Sequence, residues 1–229
     1  LFTDDDVIPD PEWLVEFHAA AERYPKISIF AGQVRHHWEK KPPDWLLRLA
    51  DEGRSYAGTP VSLEEGPISP AYVKGPNFMV RREVLDVYKF GERPGVNFTG
   101  QGSSQGGEET DLVKRALAGG YKLHHLPNAR IKHIVRREQI GALPVFFRYV
   151  RIGRAGFSQN QEVSSYEGPR LFGYRRYLYK VVPFRLFGVV FLWFTGRRYN
   201  AANKLVDLGL VCGKAIEERH QWRRSQSRN

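Results

Sequence analysis

Hydrophobic and polar positions in the first quarter of the chain follow the periods of helices and strands. Apolar residues recur at helical spacing from Trp13 to Tyr24, and Pro25 ends the pattern. The apolar run at 27–34 predicts a buried strand, because it is short and rich in β-branched and aromatic residues. Residues 42–53 predict a short helix that ends at Gly53.

The same alternation continues to about residue 154. Further segments predict a short strand at 75–80, a helical turn at 81–88, a helix from Glu108 that ends at Gly119, strand-like stretches at 121–127 and 129–135, and a helix at 138–154. Strands that alternate with helices are typical of an α/β layered fold. We therefore expect an α/β domain at residues 1–155 and a separate helical tail at 156–229.

One connection within this domain is unusually long. Residues 91–111 are rich in glycine and serine, and loops of about twenty residues inside compact domains are uncommon and mostly functional or mobile. We expect this loop to border a site.

The tail combines aromatic, apolar and basic residues. Its uninterrupted apolar run, residues 186–195, is about half the roughly 20 residues that a membrane-spanning helix needs. Two alternatives remain: a helix in a protein core, or a helix in a membrane interface, with Lys and Arg among the headgroups. The charge distribution favours the interface.

The formal charge of +10 is confined to the tail. Residues 170–229 hold 13 Lys/Arg and 3 Asp/Glu, whereas the preceding residues balance at 22 of each. An anionic lipid surface is a fitting partner. A nucleic-acid domain more often spreads such charge over a folded face, so nucleic acid is not an expected partner.

Cys212 is the only cysteine, which excludes an intrachain disulfide and fits a reducing compartment. No signal peptide is evident in these residues, but a fragment would have lost it.

Three consecutive aspartates open the chain. In a strand, Asp4 and Asp6 would project to one side and Asp5 to the other. Two carboxylates that converge at a strand end suit a hard divalent cation such as Mg²⁺ or Mn²⁺. The alternative is a solvated turn that binds nothing.

Two further positions carry candidate chemistry. Glu108 and Glu109 begin a helix, where acids are stabilised by the helix dipole, but a carboxylate beside a long loop is also a ready general base. His133 ends a strand-like segment and offers imidazole, a common metal ligand, although most such histidines are ordinary polar residues. His124 and His125 are less attractive, because their apolar neighbours indicate a core strand.

Three segments occur in an order that resembles one enzyme family. "FTDDDVIPDPEWL" has Asp-x-Asp between an apolar strand and a proline-bearing helix start, "GPNFMVRREVL" has Gly-x-Asn before two arginines, and "GGEETDLVKRALAGGYKLHHLPNARIKH" has an acidic pair, Ala-Gly-Gly-Tyr and a terminal histidine. Together they resemble the family 2 glycosyltransferases over residues 2 to about 155. The family has a further segment of roughly one hundred residues before Asp-x-Asp, so we expect this chain, which starts at Leu1, to be a fragment of a longer enzyme.

The resemblance implies a GT-A fold with an incomplete layered sheet, and it assigns roles to residues. Asp4, Asp6 and His133 fall on metal-ligand positions for Mn²⁺ or Mg²⁺. Glu109 falls on the catalytic base, with Glu108 beside it, although the family has Asp where this chain has Glu109. Asp5 lies within the Asp-x-Asp segment and is expected to contact the donor. Gly75 and Asn77 would shape the donor-sugar pocket, and the alternative is that Gly75-Pro76 is simply a turn. Arg136 and Arg137, just past His133, would pair with phosphate oxygens, and the alternative is an ordinary basic surface turn.

The implied reaction is inverting transfer of a sugar from a nucleotide-diphosphate donor to a hydroxyl of a saccharide or lipid-linked acceptor, with residues 91–107 closing over both. Polysaccharide, glycolipid or cell-envelope synthesis on the inner face of the cell membrane would fit the tail. The alternatives are a non-catalytic, glycosyltransferase-like membrane module and a nucleic-acid binder that uses the basic tail.

Overall fold

A computed structural model describes residues 1–90, 108–159, 166 and 168–226 of the 229-residue chain. The chain divides into two compact units, with the division between Ile140 and Gly141. The predicted boundary after residue 155 therefore falls inside a helix of the second unit.

The first unit is built on a mixed β-sheet. Its strands are β1 (Val7–Pro9), β2 (Ile29–Trp38), β3 (Gly66–Pro67), β4 (Phe78–Val80) and β5 (Leu123–Val135). They lie in the order β1-β5-β2-β4, with β3 also on β5. The two long central strands, β2 and β5, are parallel, and the others pair antiparallel with them.

Helices cover both faces of this sheet, which confirms the predicted α/β class. Their bounds are α1 (Trp13–Arg23), α2 (Asp44–Asp51), α3 (Arg82–Val87) and α4 (Glu108–Ala118), with 3₁₀ turns at Pro70–Tyr72 and Arg137–Gln139. Phe17 of α1 packs with Phe30 and Ile131 in one core. Leu112 and Ala116 of α4 pack with Ile29 in the other. The alternation of Phe30 and Ile29 to opposite faces follows from the two-residue period of a strand.

In the part of the second unit that the structure describes, there are three helices and one hairpin: α5 (Ala142–Gln159), β6 (Arg170–Leu171), β7 (Tyr174–Arg175), α6 (Leu178–Phe194) and α7 (Arg198–Gln226). Glycines let α5 and α7 approach closely, since a Cβ on Gly213 would stand 2.1 Å from the Val150 carbonyl oxygen. Within the described residues, no helix combines the length and apolar character needed to cross a bilayer.

Several predicted element boundaries differ from the structure. The two strand-like stretches form a single 13-residue strand, β5, which bulges opposite Gly32 and Gln33 of β2. The helix predicted from residue 138 begins at Ala142, because a 3₁₀ turn and Gly141 at φ +155° come first. The tail was predicted to be helical, but the bounds of its 29-residue helix α7 were not, since the apolar residues of α7 do not lie on a single face.

Candidate metal centre

The acidic segment crosses the sheet rather than extending a strand. Phe2 bridges to Phe78 of β4, and Val7 pairs with His133 of β5. Residues 3–6 therefore connect a bridge on β4 to strand β1, which lies at the opposite end of the strand order β1-β5-β2-β4. Asp4 and Asp6 were predicted to project from the end of a strand. This prediction was wrong about the backbone, because these residues have no strand structure.

The carboxylates of Asp4 and Asp6 nevertheless converge, and they do so on His133. One potential ligand atom from each of the three residues lies within 4.8 Å of the others. His133 Nε2 is 3.5 Å from Asp6 Oδ1. The crossing is anchored where it ends, because Ile134 N–H donates to the Asp6 carbonyl at 2.9 Å.

Electrostatics within this group favour a cationic partner. Burial raises the pKa of Asp4, the neighbouring charges of Asp6 and Asp5 raise it further, and His133 lowers it. A raised carboxyl pKa means that the ionised form is poorly stabilised by its surroundings. A divalent cation bound by these oxygens would instead stabilise the ionised carboxylates. Two carboxylates and one imidazole form a ligand set that Mn²⁺ accepts, and Mg²⁺ takes the carboxylates.

His36 is a neighbour of this group that sequence analysis missed. It lies opposite His133 in the parallel register of β2 and β5, so the two side chains share a face of the sheet. Its Nε2 lies 3.1 Å from the Ser55 carbonyl, and Gly58 packs directly against the ring. The sequence shows His36 just after the predicted strand at 27–34, but it does not reveal the register of β2 and β5 that places His36 opposite His133.

Glu109 lies in the first turn of α4, beside Gly75. A Cβ built on Gly75 would stand 3.9 Å from Glu109 Oε2, so the glycine leaves open the space next to this carboxylate. The structure thus brings together two residues that were predicted separately for catalysis and donor binding. Glu108 begins α4, but its side chain lies outside the described residues, and so does the predicted closing loop at 91–107.

Asn77 lies in the core and not in a pocket. It is fully buried, and its amide makes three hydrogen bonds: it accepts from Trp13 Nε1 at 2.8 Å, and it donates to the carbonyls of Gln33 at 2.9 Å and Ala129 at 2.8 Å. The side chain has no surface to offer a ligand. We therefore correct its expected donor-binding role to a structural one.

The remaining predicted donor residues are at the surface. Arg136 and Arg137 follow β5, three and four positions after His133, and both are exposed. Their backbone N–H groups donate to Gln139 Oε1 and Glu39 Oε2, which fixes the turn and directs the chain away from the sheet. Asp5 is exposed between the two clustered aspartates.

Comparison with known proteins adds no assignment. No protein-family model matches the chain, and no curated protein matches it. The function has to be argued from the site.

Proposed function

We propose that this chain is part of a metal-dependent, inverting glycosyltransferase with a GT-A fold, similar to family 2. The observation that supports it is the convergence of Asp4, Asp6 and His133 from opposite ends of the first unit. The two aspartates and the histidine are about 130 positions apart in sequence. Their chemistry made each a candidate metal ligand, and the resemblance assigned all three to one site.

One group of residues would bind the diphosphate of the donor, and another residue would act on the acceptor. Asp4, Asp6 and His133 would hold the cation, which as a Lewis acid stabilises negative charge on a departing diphosphate. Arg136 and Arg137, which follow His133 closely in sequence, would pair with phosphate oxygens of a bound donor.

Glu109 would act on the acceptor. Its carboxylate takes the proton from the attacking hydroxyl, a bond forms between that oxygen and the anomeric carbon, and the bond from the anomeric carbon to the phosphate oxygen breaks. The electron pair of the broken bond leaves with the nucleoside diphosphate. A single displacement inverts the anomeric centre, and the open space beside Gly75 gives the reacting groups room to approach Glu109.

The proposed enzyme works at a membrane surface, on the inner face of the cell membrane, with a saccharide or lipid-linked acceptor. Support comes from the confinement of the excess positive charge to residues 170–229. The class of donor sugar follows from no single residue, so the test has to cover several.

The test is an assay of nucleoside diphosphate release from a panel of nucleotide-diphosphate sugars with Mn²⁺ and a mixed acceptor preparation. We expect Mn²⁺-dependent release that is lost in Asp6→Ala and falls by about 10²–10⁴-fold in Glu109→Gln. The control Glu64→Gln makes the same chemical change at an exposed acid elsewhere in this unit. Nucleoside diphosphate release that does not depend on Mn²⁺, or that is unchanged in Asp6→Ala, contradicts the proposal. No release from any donor favours the non-catalytic module.

A further inference from the structure

Helix α6 exposes a stripe of phenylalanines along one side. Phe184, Phe187, Phe191 and Phe194 are 77%, 67%, 55% and 86% exposed. Their spacing of three and four positions places them on one face, and Phe187 and Phe191 stack at 6.3 Å between ring centroids. The opposite face, with Leu178 and Val189, is buried. A helix that is apolar on all sides is normally covered all round, and within the described residues the phenylalanine side is not.

The surroundings of this stripe are cationic. The sequence of α6 contains Lys180 and Arg185 and no acidic residue, and Arg197 and Arg198 follow its end. The acids closest in sequence after Asp207 are Glu217 and Glu218, which are buried. Glu217 pairs with Arg154, and Glu218 with Arg170 and Arg175, so these carboxylates face inward and do not neutralise the exterior.

A further exposed phenylalanine, Phe172, occupies the tip of the hairpin before α6. Leu171 pairs with Tyr174, which leaves Phe172 and Gly173 as a two-residue turn, with φ angles of +49° and +85°. This turn favours Asn-Gly, and a phenylalanine in the left-handed region is strained. Phe172 is nevertheless 76% exposed, so no packing in the described structure compensates the strain.

The hairpin is fastened to α6. The Tyr179 hydroxyl donates to the Leu171 carbonyl at 2.9 Å, which ties the residue next to Phe172 to the first turn of α6. Arg170 and Arg175 hold the two strands to Glu218 of α7, at 2.7 and 2.8 Å. The tip and the helix therefore form one continuous part of the second unit.

We propose that Phe172 and the phenylalanine stripe of α6 form a membrane-insertion surface whose partner is the interface of an anionic lipid bilayer. Aromatic side chains enter the boundary between headgroups and acyl chains, while flanking Lys and Arg attract anionic headgroups. A strained, exposed phenylalanine at a hairpin tip is explained by this partner, because its ring is buried only when lipid is present. The inference deepens the proposed membrane location and is independent of the sugar-transfer chemistry.

The test is flotation of the whole chain with vesicles of phosphatidylcholine alone, or of phosphatidylcholine and phosphatidylglycerol in equal amounts. We expect binding to the mixed vesicles and a decrease at high salt. The double variant Phe187→Ser/Phe191→Ser should lower the partition coefficient by about tenfold for each ring. Phe147→Ser on α5 is the matched control, since Phe147 is 57% exposed in the same unit, and it should leave the partition coefficient unchanged.

Phe172→Asn separates membrane binding from folding. Asparagine fits the turn better than phenylalanine, so the variant should melt at a higher temperature than the parent while its vesicle binding falls several-fold. Three results would each overturn the inference: an equal loss of vesicle binding in Phe147→Ser, equal binding to both vesicle types, or a lipid-free dimer that disappears in Phe187→Ser/Phe191→Ser. Because none of these measurements uses a nucleotide sugar, failure here is distinct from failure of the proposed enzyme activity.

Discussion

Replacing Asn77 with alanine should unfold the first unit far more readily than replacing an exposed asparagine. Asn77 joins three elements through one amide, with hydrogen bonds of 2.8 to 2.9 Å to Trp13 on α1, to Gln33 on β2 and to Ala129 on β5. Alanine would leave one buried indole N–H without its acceptor and two carbonyl oxygens short of a donor.

The magnitude follows from the three lost contacts. A typical hydrogen bond contributes about 1 kcal/mol net, and a buried group left unsatisfied costs about 1–3 kcal/mol. We therefore expect Asn77→Ala to lower the free energy of unfolding by about 3 kcal/mol or more. Asn77→Asp should be at least as damaging, because an oxygen would replace the amide nitrogen 2.8 Å from the Ala129 carbonyl oxygen.

Urea denaturation followed by tryptophan fluorescence measures this difference. The control Asn128→Ala removes an exposed amide that accepts a bond from Arg130, and it should change stability by less than about 0.5 kcal/mol. If Asn77→Ala unfolded at the same urea concentration as Asn128→Ala while nucleotide-sugar binding weakened, the structural role would be refuted. Asn77 would then return to the donor pocket.

Three further predictions follow from close packing and burial. Gly213→Ala should lower the melting temperature of the second unit, because its Cβ would stand 2.1 Å from a backbone oxygen of α5, whereas Gly156→Ala, with nothing within 4 Å, should not. Burial lowers the pKa of His125 from 6.5. Since the unfolded state then binds the proton more readily, stability should be full above about pH 6.5 and fall below it by up to about 1.4 kcal/mol per pH unit in urea titrations, a dependence that His125→Gln should flatten. Gly75→Ala should leave the melting temperature unchanged, since its Cβ would make ordinary contact with Glu109 at 3.8 Å, but should slow nucleoside diphosphate release in the transfer assay.

Local patterns in the sequence were sufficient to predict the main elements. The apolar run around Phe30 and the helical spacing from Trp13 reflect burial on one face, which the sequence records directly. His125 was expected in a core strand, and it is fully buried with Nδ1 3.0 Å from the Ala31 carbonyl.

Features that depend on distant contacts were not predictable in the same way. Asn77 follows Gly75 and Pro76 at the start of a predicted strand, and only the meeting of α1, β2 and β5 makes it a core residue. The path of residues 3–6 from β4 to β1 is set by pairings of Phe2 and Val7 with strands more than 70 positions away. Residue chemistry made Asp4, Asp6 and His133 separate candidates for metal binding, but only the family resemblance indicated that they belong to one site.

Cation binding by Asp4, Asp6 and His133 should also depend on pH. Because burial raises the pKa of Asp4, protons compete with a cation at this carboxylate more strongly than at an ordinary aspartate. Cation affinity should therefore rise with pH until the Asp4 carboxyl is fully ionised.

Titration of the chain with Mn²⁺, with free Mn²⁺ measured by electron paramagnetic resonance, tests the central claim most directly. We expect one site whose affinity falls at least about tenfold in Asp6→Asn and in His133→Ala. Asp5→Asn removes the same charge from the same segment but no ligand, so it should have a much smaller effect. Equal losses in Asp5→Asn and Asp6→Asn, or an unchanged affinity in His133→Ala, would contradict a metal centre formed by these three side chains.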